Sequence, residues 1–331
     1  MPSQTEYRLM GKVSSLYYKH DYKQREIAQR LHLSRPKVSR LLRKAREEGI
    51  VQISVVAPTD GLLEMETALE ERYDLDEALV LESTPHVASE NGADDEQAIP
   101  SPDPASTKRQ IGQGAARYLE RSTEKNEVLG ITWGTTLKAM VQALRRQTDA
   151  SETRVVQTLG GVGPPEAEAH AADLSRQLAR LLNARLTPLP VPGIVGNPEA
   201  REALLSDRHA QAALDYFSEI TTAYVGIGAL STNPIFSEDS TVSAGALETL
   251  RRAGAVGDIA LRFFDADGAH VPSPFEERLI GITLEELGAV DRVVGVAGGS
   301  KKTEAVRGAL RGRLVDVLIT DRSTSDKLVD A

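Results

Sequence analysis

Two short helices separated by a tight turn are indicated at residues 24–49, and this pattern constrains the fold more than any other in the chain. The first helix is predicted over 24–31. Ser34 is a good N-cap for the second helix, and Pro36 lies in its first turn, where a missing N–H does no harm. Gly49 is placed to end that helix as a C′ glycine.

Small and apolar side chains lie where these two helices would cross. Ala28 is the small residue that a close crossing needs, and His32 occupies the tight turn, where glycine is usual but histidine can adopt the left-handed backbone. A further helix is predicted over 6–20, and a strand over 50–56 with Pro58 closing the domain. The apolar wedge that locks the crossing is predicted to consist of Ile27, Leu31, Leu33, Val38 and Leu41.

The remaining face of the second helix is basic. It carries Arg35, Lys37, Ser39, Arg40, Arg43 and Lys44. Such side chains can reach phosphates and guanine edges in a major groove, as in a helix-turn-helix. A small helical bundle with an exposed basic helix is the alternative. We predict base contacts from Arg35, Lys37, Ser39 and Arg40, phosphate contacts from Gln24 and Arg43, and include Ser34 in the DNA-binding surface.

The charge distribution supports a basic head on an acidic body. The 331-residue chain has a net charge of −9, but residues 1–58 hold 12 Lys/Arg against 5 Asp/Glu, a net of +7, and the remainder has a net of −16. Phosphate contacts need a basic face rather than a basic whole. The length fits two domains.

Several classes of protein are excluded by composition. The chain has no cysteine, which excludes disulfides and thiolate sites and fits a reducing cytosol. No apolar run is long enough to span a bilayer, and the N-terminus lacks the apolar core of a signal peptide. The six histidines are scattered without metal-ligand spacing. We therefore expect a cytoplasmic protein with no membrane partner, no metal and no cofactor.

The remainder of the chain alternates helical segments with short apolar runs. This alternation predicts an α/β domain with a parallel sheet covered by helices on both faces, in the Rossmann-like manner. A connecting helix is expected at 60–73 within 59–82, followed by a flexible acidic insertion at 83–106 and the main domain at 107–331. Strands are predicted at 128–131, 154–159, 187–189, 223–227, 293–297 and 315–319, and helices at 107–120, 135–147, 167–183, 199–215, 241–253, 283–289 and 301–310.

Glycine-rich loops follow four of these strands, where ligands bind in open parallel sheets. Backbone N–H groups and threonine hydroxyls at a helix N-terminus can hold an anion, and Lys302 can neutralise a phosphate. Asp258 could accept hydrogen bonds from sugar hydroxyls, cap a helix or pair with Arg262. The residues predicted to bind the small-molecule effector are Gly134, Thr135, Thr136, Gly160, Gly161, Gly228, Asp258, Gly298, Gly299 and Lys302.

The ordered series of motifs resembles the SorC family of sugar-responsive bacterial regulators, a group that includes deoxyribonucleoside and central glycolytic regulators. The segment KQREIAQRLHLSRPKVSRLLRKAREEGIVQI at 23–53 resembles the DNA-binding head of that family. The later blocks are GITWGTTL at 130–137, LGGVG at 159–163, VGIGAL at 225–230, GAVGDIALRFFD at 254–265, RLIGITLEEL at 278–287 and VAGGSKKTEAVRGALRGRLVDVLITD at 296–321.

The resemblance implies a C-terminal domain that binds a phosphorylated sugar and is related in fold to glucosamine-phosphate and ribose-phosphate isomerases (isomerase/CoA-transferase-like). It also implies a homo-oligomer, dimeric or tetrameric, on operator DNA, and it favours Lys302 as the ligand lysine. Some relatives that bind a bisphosphorylated sugar carry arginine at the position of Leu159. A monophosphorylated or smaller effector is therefore expected here.

Two other functions remain open at this stage. A sugar-phosphate isomerase with an appended DNA-binding head would need a general base, for which Asp258 and Asp321 are the candidates, neither with a histidine partner. A nucleoid-type architectural protein would bind DNA without an effector, although the acidic body argues against it. A regulator that is not an enzyme is the preferred interpretation.

Overall fold

The chain folds into two units, Met1–Pro58 and Thr59–Ala331, in a computed structural model. The structure describes residues 4–51, 61–82, 104–146, 152–162, 165–232, 242 and 244–330. Most of the acidic insertion expected at 83–106 thus lies outside the described residues. Its last three residues, from Pro104 on, belong to a helix.

The first unit is a bundle of three helices: α1 (Gln4–Tyr18), α2 (Gln24–Arg30) and α3 (Arg35–Glu47). Both predicted helices of the 24–49 segment are confirmed, and the predicted first helix begins and ends two residues earlier than expected. Residues 50 and 51 form a bend rather than the start of a strand, and 52–56 lie outside the described residues. The buried core comprises Met10, Val13, Ile27, Ala28, Val38, Leu41, Leu42 and Ala45.

His32 closes α2 in the left-handed conformation, with φ of +53°. The N–H of His32 donates to the carbonyl of Gln29 at 3.3 Å and that of Leu33 to Ala28 at 2.8 Å. These two bonds form a Schellman motif, which satisfies carbonyls that the end of the helix would leave unpaired. Gly49 ends α3 with φ of +69°, as its sequence position predicts.

The second unit is an α/β domain. Its helices are α4 (Leu62–Tyr73), α5 (Pro104–Ser122), α6 (Thr135–Ala143), α7 (Pro165–Leu181), α8 (Pro198–Leu205), α9 (Arg208–Leu214), α10 (Ala244–Arg252), α11 (Leu284–Gly288), α12 (Thr303–Arg311) and α13 (Arg322–Val329). Its strands are β1 (Glu77–Leu81), β2 (Val128–Ile131), β3 (Arg154–Gln157), β4 (Arg185–Thr187), β5 (Thr222–Ala229), β6 (Gly257–Ile259), β7 (Arg262–Phe264), β8 (His270–Val271), β9 (Arg292–Val296) and β10 (Val317–Asp321).

Seven strands form a parallel sheet in the order β1-β10-β9-β5-β2-β3-β4. The predicted parallel sheet is confirmed for these seven strands, but an antiparallel extension of it was not predicted. The extended end of β5 pairs with β6 in antiparallel register, and β7 and β8 continue this antiparallel meander. The meander escaped prediction because strands of two or three residues are too short to show a periodic pattern.

Helices cover both faces of the sheet, as the alternation predicts. Successive side chains of β10 point to opposite faces: Leu318 joins the core that includes α4, α9, α12 and α13, whereas Val317 and Ile319 join the core that includes α5, α6 and α7. Each face of the sheet thus has a buried core under helices. Because both faces are covered, the strands appear in the sequence as continuous apolar runs.

Three further differences separate the predicted elements from the observed ones. The strand β1 and the helix α13 were not predicted. The helix predicted over 199–215 is two helices, α8 and α9, because Asp207 starts a new helix by accepting the N–H groups of His209 and Ala210 at 2.8 and 3.2 Å. The other strands and helices predicted for this domain are present, β2 with the predicted ends and the rest with one or both ends shifted.

The helix α4 covers the edge of the sheet formed by β1. The N–H of Ala78 donates to Oε1 of Glu70 at 2.9 Å, and the N–H of Val80 donates to Oε1 of Glu66 at 2.8 Å. Leu69 of the same helix is completely buried. Two carboxylates therefore take the hydrogen bonds that a further strand would take.

Helices α5 and α6 cross closely at Gly112. A Cβ at this position would lie 2.6 Å from the carbonyl carbon and the Cβ of Ala139 and 2.8 Å from the backbone nitrogen of Met140. Backbone atoms cannot yield as a flexible side chain can, so this crossing fixes the position of α6 and of the loop before it.

We expect Gly112→Ala to destabilise the domain by about 1–3 kcal/mol, because the added methyl group overpacks a backbone contact. Thermal denaturation of the full chain measures the effect. Gly245→Ala in α10 is the matched control, since a Cβ there meets nothing within 4 Å and alanine favours a helix over glycine. Equal melting temperatures for the two variants would contradict the crossing described here.

Candidate functional sites: a basic helix and a strand-end site

The face of α3 opposite its core is exposed and carries the predicted DNA-binding side chains. Val38, Leu41 and Leu42 point into the bundle, which leaves the other side of the helix to solvent. Gln24 begins α2 and is half-buried. The exposed residues of this surface are Ser34, Arg35, Lys37, Ser39, Arg40 and Arg43.

Lys44 does not belong with these exposed cations. Its Nζ donates to Oε1 of Glu6 on α1 at 2.9 Å, and this hydrogen bond raises the pKa of the Lys44 ammonium. The expectation that Lys44 lies on the free basic face is therefore corrected, because its charge is paired within the bundle. Arg43 keeps its exposure, although its Nε lies 3.9 Å from Oε1 of Glu47.

Ser34 occupies the N-cap position of α3, with φ of −80° and ψ of +147°, but its side chain accepts no capping hydrogen bond. Its backbone carbonyl accepts the N–H groups of Lys37 and Val38 at 3.0 and 3.1 Å. The prediction of the capping position is confirmed, while the expected side-chain cap is not present.

The carboxyl ends of β2 and β5 meet where the strand order reverses. The chain passes from β2 to β3 and β4 on one side, and then to β5 on the other side of β2. Such a reversal opens a crevice where ligands bind in α/β sheets. The two ends are tied together because the N–H of Gly226 donates to Oγ1 of Thr132 at 3.3 Å.

Gly134, Thr135 and Thr136 stand at this reversal, between β2 and α6. Gly134 is the N-cap residue of α6, Thr135 is exposed and Thr136 is buried. The first N–H groups of a helix have no partner inside the helix and attract an anion. This loop therefore retains the geometry expected of an anion site.

Asp258 on β6 lies directly opposite Gly228 on β5. A Cβ on Gly228 would overlap Oδ1 of Asp258, so the buried carboxylate covers the glycine backbone. Oδ2 of Asp258 accepts the N–H of Leu261 at 3.2 Å. Of the three roles considered for Asp258, pairing with Arg262 is not observed, since that guanidinium contacts Glu276 instead.

Lys302 reaches the same place from the loop after β9. Its Nζ donates to the carbonyl of Ile227 at 2.8 Å. Burial lowers the pKa of the Lys302 ammonium, and the negative charge of Asp258 opposes this by raising it. A half-buried cation beside a glycine backbone and a carboxylate is suited to an anionic, hydroxylated ligand.

The Gly298–Gly299 loop is held by a buried carboxylate at the end of β10. The N–H of Gly299 donates to Oδ1 of Asp321 at 2.6 Å and to Oγ1 of Thr324 at 2.9 Å. A Cβ on Gly298 would overlap Oδ1 of Asp321. Sequence reasoning considered Asp321 only as a catalytic base and missed this role, although an aspartate directly before a helix is a typical N-cap.

Gly160 and Gly161 are placed differently from the other glycines. Their N–H groups donate to the carbonyls of Ile280 and Val191 at 3.1 and 3.0 Å, and a Cβ on Gly160 would lie 2.7 Å from that carbonyl of Val191. Close backbone packing therefore accounts for this pair, whose N–H groups point to other loops. Its predicted contact with a phosphate stays a prediction.

We refer below to Gly134, Thr135, Thr136, Gly228, Asp258, Gly298, Gly299 and Lys302 as the strand-end site. Among the described residues there is no cluster of His, Asp or Glu that could hold a metal ion. Within the same ranges, no helix has the length and apolar character needed to cross a membrane.

The comparison with known families divides the chain as the structure does. Residues 57–330 match the sugar-binding domain family, and residues 21–52 match the winged helix-turn-helix DNA-binding family. The deoxyribonucleoside regulator of Bacillus subtilis (strain 168) is 31% identical over 329 residues, which cover 98% of this chain and 97% of that protein.

A second relative and its solved structure agree with this. The sorbitol operon regulator of Klebsiella pneumoniae is 28% identical over 99% of this chain and 100% of that protein. The crystal structure of the full-length sorbitol operon regulator SorC from Klebsiella pneumoniae superposes with a TM-score of 0.70 at 26% identity, covering 98% of this chain and 100% of that one.

The helix-turn-helix and the sugar-binding domain together define a sugar-responsive, DNA-binding transcriptional regulator. The chain belongs to the SorC family of sugar-binding transcriptional regulators. It is a regulator rather than an enzyme, as the sequence analysis preferred. The two carboxylates considered as catalytic bases make structural hydrogen bonds: Asp258 accepts the N–H of Leu261, and Asp321 accepts the N–H of Gly299.

We expect Asp258→Asn to lower the pKa of Lys302 further, because the substitution removes the negative charge that favours the ammonium form. An NMR titration of side-chain-labelled lysine measures this pKa. Asp265→Asn is the control, since Asp265 bonds the N–H groups of Asp267 and Ala269 in the turn after β7. A pKa of Lys302 that does not change in Asp258→Asn would contradict the proximity of the two groups.

Proposed function

We propose that the effector is a monophosphorylated sugar bound at the strand-end site, and that it controls binding of the helix-turn-helix to operator DNA. The observation that carries this proposal is the position of Lys302, a half-buried cation that contacts β5 beside Gly228 and Asp258. Its ammonium, with the N-terminal N–H groups of α6, favours a phosphate, while Asp258 suits sugar hydroxyls.

Leu159 favours one phosphate group rather than two. It is buried among apolar side chains, including those of Val162 and Leu279. Some relatives that bind a bisphosphorylated sugar carry arginine at this position, as the resemblance implied. An apolar, enclosed side chain supplies no second positive charge, so a bisphosphate would lack a partner there.

We expect at least one sugar monophosphate to bind the full-length protein, measured by calorimetry with ribose 5-phosphate, 2-deoxyribose 5-phosphate, glucosamine 6-phosphate, fructose 1,6-bisphosphate and sorbitol. Lys302→Ala should weaken that binding about 10- to 100-fold, since a hydrogen bond to a charged group contributes about 1.5–3 kcal/mol. Lys301→Ala is the matched control, because Lys301 is the exposed neighbour.

Two results would contradict this proposal. Tighter binding of fructose 1,6-bisphosphate than of every monophosphate would show that Leu159 does not limit the effector to one phosphate. Equal losses of affinity in Lys302→Ala and Lys301→Ala would show that the phosphate does not contact Lys302.

The basic face of α3 is proposed to read the operator. Arg35, Lys37, Ser39 and Arg40 are assigned to base edges, and Gln24 and Arg43 to phosphates, with Ser34 at the start of the helix. All of these except the half-buried Gln24 are exposed. A homo-oligomer, dimeric or tetrameric, would present pairs of such heads to a pseudo-palindromic operator. A protein that acts on chromosomal DNA in this way works in the cytoplasm.

We expect Arg40→Ala to weaken binding to the promoter fragment upstream of the gene by about 1–3 kcal/mol at fixed salt, because Arg40 is assigned a base contact. Binding is measured by fluorescence anisotropy against an unrelated duplex of equal length. Lys44→Ala removes the same charge from the same helix, but from an amine held by Glu6. A loss in Arg40→Ala that is equal on both duplexes would place Arg40 on a phosphate instead.

The finer description of the fold is also a proposal. The parallel order of seven strands, with ligand-binding loops at a reversal of strand order, supports a Rossmann-like domain of the isomerase/CoA-transferase type. A sugar-phosphate isomerase and this regulator would then share the place where the phosphate binds but not a catalytic base.

A further inference from the structure

The short helix α13 is held at both ends by side-chain hydrogen bonds. At its N-terminus, Asp321 is the N-cap residue, and its Oδ2 accepts the N–H of Thr324 at 3.3 Å. The hydroxyl of Thr324 donates to Oδ1 of the same carboxylate at 2.7 Å. Because Asp321 and Thr324 also hold the N–H of Gly299, the start of α13 and a loop of the strand-end site share one set of hydrogen bonds.

The other end of α13 is held by α4. The hydroxyl of Tyr73 donates to the carbonyl of Leu328 at 3.0 Å, and the guanidinium of Arg72 donates to the carbonyl of Val329 at 2.7 Å. The last carbonyls of a helix have no partner within the helix, so these donors satisfy groups that otherwise need water. Two adjacent side chains of α4 therefore grip the C-terminus of α13.

These two sets of contacts connect places that are far apart in sequence. Gly299 and Tyr73 are linked through a helix of eight residues, a length of about 12 Å at 1.5 Å per residue. A helix moves as a unit because its backbone is bonded along its length. A shift of the Gly298–Gly299 loop would thus reach the end of α4 through α13.

The packing of α13 leaves two buried hydroxyls without partners within the described ranges. Thr324, Ser325 and Leu328 of this helix are fully buried, as is Thr320 of the strand β10 that it packs against. The hydroxyls of Ser325 and Thr320 are buried with no hydrogen-bond partner among the described residues. An unsatisfied buried hydroxyl raises the free energy of the arrangement.

We propose that α13 is a connector that couples the Gly298–Gly299 loop to α4, the first described helix after the DNA-binding unit in the chain. The connector rests on the proposed function, in which this loop helps to receive the phosphate of the effector. Effector binding would change the hydrogen bonds of Gly299 with Asp321 and Thr324, and α13 would carry that change to Arg72 and Tyr73.

Hydrogen exchange of the full-length protein without any ligand tests the connector. The double variant Arg72→Gln, Tyr73→Phe removes the grip on α13 while leaving Gly299, Asp321 and Thr324 in place. We expect exchange in a peptide covering 297–303 to become at least about tenfold faster. Tyr73→Phe alone, a milder change, should give a smaller acceleration in the same peptide.

Arg313→Gln is the matched control, because it removes a guanidinium whose ion pair, 2.9 Å long, is with Asp74 directly after α4 and not with α13. It should leave exchange at 297–303 unchanged. Thr324→Val perturbs the opposite end of α13, where Thr324 bonds Gly299 and Asp321. It should accelerate exchange in α4 over 62–73. Faster exchange confined to 326–330 in the double variant would overturn the connector, because the loosened end would not reach the loop.

A second readout separates the connector from the proposed function. For a sugar phosphate of the calorimetric panel that alters wild-type affinity for the upstream promoter fragment, the double variant should still bind the compound but lose at least two-thirds of that alteration. Retention of the full alteration would overturn the connector. If no compound of the panel binds the wild-type protein, the proposed effector fails, while the exchange measurement still decides whether α13 couples the loop to α4.

Discussion

The carboxylate of Asp321 is the interaction on which the arrangement around the strand-end site depends. It is buried at the carboxyl end of β10, where it starts α13 and holds the N–H of Gly299. One charged group thus fixes a loop, a strand end and a helix together. Without it, the glycine pair would lose the contact that sets its path, because Gly298 and Gly299 have no side chains of their own to anchor the loop.

The parallel sheet brings the remaining parts of the site to the same edge. Lys302 and Asp258 come from segments that are separated by more than forty residues in the sequence, and they meet because β5 pairs with both β9 and β6. The opposing charges stabilise each other in a partly buried place. The phosphorylated sugar proposed as the effector would need groups of opposite character for its phosphate and its hydroxyls.

Sequence reasoning predicted the head in detail and the larger domain in outline. The crossing of α2 and α3 follows from local features, such as Ala28 and the left-handed His32, that act within a few residues. The meander β6–β8 and the role of Asp321 depend on contacts between distant segments, which no local pattern records. The helix α13 is rich in serine and threonine, which are weak helix formers, and its formation depends on that cap and on burial.

The candidate site likewise combines features that local sequence predicts with features that depend on contacts between distant segments. The glycine-rich loops and Lys302 could be identified from residue types alone, whereas the pairing of Gly160 and Gly161 with Val191 and Ile280 could not. A glycine pair looks the same in a sequence whether its N–H groups face a ligand or another loop. Only the fold distinguishes a glycine that binds from a glycine that lets two backbones approach.

The capping of β1 by Glu66 and Glu70 has a consequence for the behaviour of the protein in concentrated solution. An uncovered outer strand can recruit a strand from another molecule and seed aggregates. Here the donors at Ala78 and Val80 are occupied by carboxylates, and an approaching chain would meet two negative charges. The helix α4 therefore also prevents β1 from pairing with a strand of another molecule. A chain without this helix would aggregate more readily.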